Sequence, residues 1–273
     1  MRCKIGKIAV YLILVIGAFI SLLPFLWMFL TSFKTPYEAV LIPPTWIPKN
    51  FVLYGYKRVL SQLNFLQYFK VSFTVVVLNI IGVLFTSILA AYAFSWLRFR
   101  GRETIFVSFL ALMMIPIPVY VLPLFILVQK FGWVDTYMGL VVPWCVNVFS
   151  IFLLRQQFRS IPKDLYESAI MDGCSRLKFI WKILLPLSKP TLITIIIFNT
   201  IGAWNAFMWP LMVTISDKMR PIQVGLAYFA QGESTDYPAL MAASSLAILP
   251  LILLFFIFQR YIIASYMRSG LKE

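Results

Sequence analysis

Long apolar stretches, interrupted at intervals by short charged clusters, set the rhythm of this chain. Uncharged runs lie between Lys7 and Lys34, Lys70 and Arg98, Glu103 and Lys130, Asp135 and Arg155, Lys189 and Asp217, and Asp236 and Arg260. An apolar helix needs about 20 residues to cross about 30 Å of hydrocarbon, so these runs predict six transmembrane helices, roughly 8–33, 71–97, 104–129, 136–154, 190–215 and 237–259. A closed β-barrel would instead need short strands of alternating apolar and polar residues. The expected fold is an all-α integral membrane protein, with residues 1–273 as a single transmembrane domain. Lys4, Lys7 and the following run resemble a secretory signal, but the run exceeds the usual 7–15 residues and carries Pro24 and Trp27 near its end. It reads as a retained first helix.

Composition agrees with the pattern. Hydrophobic residues make up 61% of the chain and charged residues 12%, against roughly 45–50% and about 25% in a soluble domain. Charge then supplies orientation, because Lys and Arg accumulate on the cytoplasmic side. With a cytoplasmic N-terminus, 16 of the 24 basic residues fall on that side and 8 on the other. Both termini and the segment 162–186 are therefore expected in the cytoplasm. The net charge of +14 suits loops beside anionic headgroups, and no basic run outside the spans marks a nucleic-acid partner.

Several chemistries are missing. Cys3, Cys145 and Cys174 are scattered over a tail, a span and a loop, which fits neither a disulfide framework nor a metal site, and the chain has no histidine. All six runs lack Asp, Glu, Lys and Arg, so no proton relay or voltage sensor is visible, although backbone and hydroxyl ligands for Na⁺ stay open. No G-x-x-x-x-G-K-[ST] loop occurs either. Such a chain is a passive channel, an ion-coupled carrier, a scaffold, or a pore driven by a partner.

The polar segment Pro162–Pro186 favours the partner. Pro162 suits a first helical turn, Asp164 and Glu167 suit a positive helix N-terminus, Gly173 suits a left-handed stop, and Ser175 can cap the next helix. Two short helices meeting at a glycine corner are expected, either lying on the membrane or presented for docking.

The spacing E-x-A-x-x-x-G, nine residues, then I-x-L-P, with Glu167, Ala169, Gly173, Ile183, Leu185 and Pro186, resembles the EAA motif of ATP-binding-cassette importer permeases; Ser168 replaces the second alanine. SFKTP from Ser32, RFRGR from Arg98, FLLRQQFRSIPK from Phe152, GAWNAFMWPL from Gly202 and LMAASSLAILP from Leu240 extend the resemblance, in order, to the maltose-type permeases of carbohydrate importers. Two positions depart from the family: Ala206 stands where an Asp often follows Trp-Asn, and SYMRSGLKE replaces a glycine-rich tail.

The resemblance implies the type I importer permease fold, with a coupling helix between the fourth and fifth spans. It implies a non-catalytic subunit of a binding-protein-dependent sugar importer carrying a di- or oligosaccharide. Implied partners are a second homologous permease, two cassette ATPases holding ATP and Mg, and an extracytoplasmic sugar-binding protein; the chain itself would bind no cofactor or metal. ATPase coupling falls to Asp164, Glu167, Ser168, Ala169, Asp172 and Gly173. Asn199, Trp204, Asn205 and Trp209 are candidates for the sugar path, and Gln231, Glu233 and Asp236 for a loop touching the binding protein. Asn79 and Asn147 read as interhelical hydrogen-bond formers. The small residues Ala242, Ala243, Ser244, Ser245 and Ala247 read as a face for pairing two permease chains.

Overall fold

A chain that must hide its backbone from hydrocarbon has helices as its simplest solution, and the computed structural model has helices and no strands among its described residues, 2–62, 64–230 and 235–269. In order they form α1 (Arg2–Thr31), α2 (Pro36–Ala39), α3 (Tyr54–Gln62), α4 (Phe65–Trp96), α5 (Arg102–Leu112), α6 (Ile117–Lys130), α7 (Tyr137–Val141) and α8 (Val148–Arg159). There follow α9 (Lys163–Met171), α10 (Arg176–Phe179), α11 (Leu185–Leu187), α12 (Lys189–Trp204), α13 (Met208–Val213), α14 (Ile222–Ala230) and α15 (Tyr237–Ser269). Three segments are long and apolar enough to cross a membrane unaided: Val10–Thr31 in α1, Phe65–Trp96 and Tyr237–Arg260 in α15.

The remaining apolar runs are broken. α5 and α6 meet at 100°, Tyr137–Trp144 and α8 at 43°, and Arg176–Leu187 and α12 at 81°. Counting each bent pair as one span gives up to six. Proline spacing accounts for the sharpest break. Pro116 adopts an extended backbone (φ −65°, ψ 139°) and Pro118 lies in the first turn of α6, so two missing N–H groups fall where the ladder would continue. Pro24, Pro123 and Pro250 each stand alone inside a helix that continues past them. The run 190–215 also divides, with Asn205 capping α12 before α13 begins at Met208.

The helices gather into two compact units, Met1–Phe69 with Val224–Pro250, and Lys70–Gln223 with Leu251–Glu273. In the first, the turn after α1 is tied by Lys34, which is only 1% exposed. Its ammonium donates to the Thr45 carbonyl (2.5 Å) and sits 4.3 Å from the centre of the Trp27 ring. Burial lowers the Lys34 pKa, against the opposing pull of Glu38. Glu38 in turn accepts from the Thr45 hydroxyl (3.0 Å) and the Lys49 N–H (2.8 Å). Gly55 lets α3 approach the start of α15 closely, since a Cβ there would lie 2.5 Å from the Pro238 carbonyl oxygen. The small run of α15 is consumed inside this chain: Ala242, Ala243, Ser245 and Ala247 are all buried. It packs this chain's own helices, which corrects the expectation of a face kept for a second permease.

In the second unit, Arg155 of α8 is the central polar residue, with its side chain only 4% exposed. Its Nε donates to the Phe94 carbonyl of α4 (3.3 Å), its Nη2 pairs with Glu103 of α5 (2.5 Å), and its guanidinium stacks 3.8 Å from the centre of the Phe106 ring. Arg102 also grips Glu103 (3.1 Å) and closes the preceding turn through the Leu97 carbonyl (3.1 Å). The hydrogen bond from Arg155 is the main reason the Glu103 carboxyl sits below the usual carboxylate range.

Arg155→Met should destabilise the purified protein by about 2–3 kcal/mol, from two charge-assisted bonds, one of them to a half-exposed partner, and one desolvated cation–π contact. Glu103→Gln should cost less, because Glu103 is 55% exposed. A carboxyl whose pKa is lower folded than unfolded contributes fully above the unfolded value, so the Glu103 contribution should vanish as pH falls below about 4.5 and through the folded pKa. Thermal unfolding in detergent across that range checks both.

Candidate functional site

Two features of the second unit carry the sequence-predicted residues. The first is the corner around Gly173. α9 begins after Pro162 with Asp164 in its first turn. It ends in a paired stop, with Gly173 N–H donating to the Ile170 carbonyl (2.9 Å) and Cys174 N–H to the Ala169 carbonyl (2.9 Å). That pattern is a Schellman motif, which needs a left-handed residue at the position of Gly173, and Gly173 has φ +73°. A Cβ on Gly173 would meet nothing within 4 Å, so the demand for glycine is purely conformational. The Ser175 hydroxyl then caps α10 by accepting from Lys178 N–H (3.4 Å).

α9 is held by one face only. Ala169 is buried in the core with Phe158, Phe179 and Leu184. Tyr166, one turn earlier, meets Phe179 (4.9 Å between ring centres) and Trp96 of α4 (5.2 Å), and those two rings meet each other (5.4 Å). Such pairs contribute roughly 0.5–1.5 kcal/mol each beyond their burial. Asp164, Glu167, Ser168, Asp172 and Gly173 lie on the exposed side, together with the apolar Leu165, Ile170 and Met171, the last 82% exposed.

The second feature is a cavity of about 460 Å³ whose walls come from α4, α6, α7, α8, α12 and α13 with their connecting turns. Asn199 and Trp209 line it, Trp204 and Asn205 do not. Trp204 is buried elsewhere in the unit, at 3% exposure, and Asn205 accepts from the Gln223 amide (3.5 Å). Trp209 donates its indole N–H to the Gly139 carbonyl (2.9 Å), so it presents ring surface and no donor. Asn199 spends both amide protons, on the Ser150 hydroxyl (3.1 Å) and the Ile195 carbonyl (2.8 Å).

Asn79 and Asn147 line the cavity too, although they read from the sequence as structural residues. Asn79 carries the inter-element bond that reading implies, whereas Asn147 instead caps its own helix. Asn79 donates to the Trp144 carbonyl (3.2 Å), and the Asn147 side-chain oxygen caps α8 by accepting from Ser150 N–H (2.8 Å). The signal for them was a lone amide inside an apolar run and, at Asn147, an amide four residues after Pro143, where a helix restarts.

Outside these two features, Asp236 is the described residue of the proposed binding-protein loop; Gln231 and Glu233 lie outside the described residues. The Asp236 carboxylate accepts from the Tyr54 hydroxyl (2.9 Å), pairs with Arg58 (3.1 Å) and caps α15 through Ala239 N–H (3.2 Å). At the other exposed loop, Asp135 adopts φ +59° and accepts from Ile215 and Ser216 N–H (2.9 and 3.0 Å). Burial pushes its pKa up, but the bonds from Ser216 and Ile215 and the charge of Arg220 outweigh it and hold the carboxyl low. Among the described residues no cluster of His, Cys, Asp and Glu fits a metal ion.

Residues 82–268 match the family described as binding-protein-dependent transport system inner membrane component. The chain is 37% identical over 272 residues to the trehalose/maltose transport system permease protein of Thermococcus litoralis, covering 96% of each. It is 36% identical over 208 residues to the arabinooligosaccharides transport system permease protein of Bacillus subtilis, covering 75% of this chain and 74% of that one. A crystal structure of a bacterial ABC transporter involved in the import of the acidic polysaccharide alginate contains a chain that superposes with a TM-score of 0.86. That chain is 25% identical, and the match covers 94% of this chain and 96% of that one.

Two pairs of substitutions separate structural from surface roles. Asn147→Ala should lower stability by about 1 kcal/mol through the lost cap, while Asn147→Ser should retain most of it. Tyr166→Ala should destabilise by roughly 3 kcal/mol, in the range of aromatic truncations, whereas Glu167→Ala should stay within about 0.5 kcal/mol. Thermal unfolding of the four purified variants distinguishes them.

Proposed function

Because the chain belongs to the family of binding-protein-dependent transport system inner membrane components, with relatives named as sugar transport permeases, we propose that it forms half of an ATP-driven sugar translocation pathway and receives its drive through α9. It is membrane-embedded and non-catalytic, and it works with a binding protein and an ATPase. A self-sufficient channel, an ion-coupled carrier or a scaffold is not favoured by that membership.

The observation that carries the reading is the one-sided seating of α9. A helix fixed to the core through Tyr166 and Ala169, stopped at Gly173, leaves three acids and an apolar patch exposed, with no partner face among the described residues. A cassette ATPase with a cleft of matching size is the proposed occupant, with Glu167 and Asp172 as polar contacts and Ser168 tolerating close approach. ATP and Mg belong to that subunit.

The finer architecture follows the same reading. Six spans result when each bent pair crosses once, and the 16 to 8 division of basic residues supports a cytoplasmic position for α9 and both termini. A second homologous permease and two ATPases complete the assembly. The segment 216–236, which includes α14, is the proposed contact with the binding protein, with Asp236 as its anchored end. Relatives named for trehalose, maltose and arabinooligosaccharides support a di- or oligosaccharide as cargo.

Affinity purification of the tagged chain from its native membrane tests the assembly: a cassette ATPase and a second, homologous permease should come with it, and a stable active homomer would refute the reading. Gly173→Val should reduce sugar uptake several-fold in the intact transporter while ATP hydrolysis persists, because a β-branched residue costs about 1–2 kcal/mol in the left-handed region. Gly173→Asn should transport nearly normally. Normal uptake by the valine variant would count against α9 as the coupling element.

A further inference from the structure

The cavity of the second unit has a chemistry more specific than a generic pore wall. Its volume of about 460 Å³ lies within the range of small-molecule sites, which combine apolar walls with a few placed polar groups. None of its lining residues is charged. Two aromatic pairs border it, Trp144 with Trp209 (5.8 Å between ring centres) and Phe149 with Phe198 (6.0 Å).

The three amides are fixed by the protein's own hydrogen bonds, and what each has left over differs. Asn199 has spent both N–H groups and keeps its carbonyl oxygen. Asn147 has spent that oxygen as a helix cap and keeps its NH₂. Asn79, only 6% exposed, has given one N–H to the Trp144 carbonyl and keeps the other with its oxygen. The site thus offers acceptors and donors side by side, held in place before any ligand arrives. A hydroxyl donates once and accepts twice, so a polyhydroxylated ring is the ligand that uses both. A carboxylate or phosphate would enter without a cation to meet it, and a desolvated unpaired charge is heavily penalised.

We propose that this cavity is a binding site, within this chain itself, for one ring of a neutral sugar, gripped by Asn79, Asn147 and Asn199 between aromatic walls. The inference rests on the permease reading and goes beyond it: the chain selects cargo directly, for neutral and against acidic sugars, and is more than half of a passive wall.

Gly202 of α12 supplies a clean block. It lines the cavity, and a Cβ added to it meets nothing within 4 Å, so Gly202→Phe fills the space without removing a hydrogen bond. Asn147→Ser is the second variant, since serine keeps the helix cap and deletes only the amide donor. The measurement is equilibrium binding of labelled maltotriose, arabinotriose, trigalacturonate and glycerol 3-phosphate to the complete transporter in nanodiscs, with the binding protein omitted. At least one neutral probe should bind. Both anionic probes should bind at least roughly tenfold more weakly, and each variant should weaken the neutral probe by roughly tenfold, the size expected for one lost or blocked polar contact.

Anions binding as tightly as neutral sugars, no binding of either neutral probe, or unchanged affinity in both variants would each overturn the proposal. A complex that still assembles with its ATPase and imports sugar while both variants bind normally refutes the cavity alone. Failure of the unaltered chain to assemble with an ATPase refutes the permease reading, and this one with it.

Discussion

A single guanidinium sets the position of everything at one end of the second unit. Arg155 is 4% exposed, and a cation so placed is tolerable only when its surroundings satisfy it. The Phe94 carbonyl, the Glu103 carboxylate and the face of Phe106 do so from two other helices. α4, α5 and α8 are thereby fixed at one point, and α8 runs within four residues into α9. The three-ring contact of Tyr166, Trp96 and Phe179 repeats the connection one step further on. A displacement of α9 therefore has stiff, specific routes back to α4 and α8, as rigid-body switching requires.

Much of this architecture could be read from the chain, because apolar run length and backbone satisfaction in hydrocarbon leave few choices. The corner at Gly173 was equally readable, since each residue there answers a local backbone demand: Asp164 at a helix start, glycine at a left-handed stop, Ser175 at the next cap. The directions of the helices were not. Hydropathy averaged over a run treats Pro116 with Pro118 and Pro24 alike, yet the close pair ends a helix while the single residue leaves α1 unbroken. Polarity misled in a similar way. Asp236 looked like part of a free loop tip, but its carboxylate is held by Tyr54, Arg58 and the start of α15. Burial of the alanines of α15 was invisible too, because a small face looks the same whether it meets its own chain or another.

Candidate pathway residues divided for a related reason. Trp204 and Trp209 are neighbours in sequence and chemically identical, and the interruption of the helix at Asn205 lets only Trp209 reach the cavity. The three asparagines share one composition but differ in what their local bonds leave unspent, which depends on the backbone around each side chain. Type and spacing identify such residues as polar; only their partners decide what they can still offer.

The uncharged lining of that cavity also has an electrical meaning. Moving one elementary charge across a membrane is worth about 2.3 kcal/mol per 100 mV, so a path admitting ionic cargo, or one whose own charges shift across the field, ties transport to the membrane voltage. With no ionisable lining residue and a neutral ring as cargo, passage along this wall does no electrical work. The concentration ratio such a machine can sustain is then set by the chemical potential of ATP, and a cell whose membrane has depolarised keeps its ability to accumulate the sugar for as long as its nucleotide pool lasts.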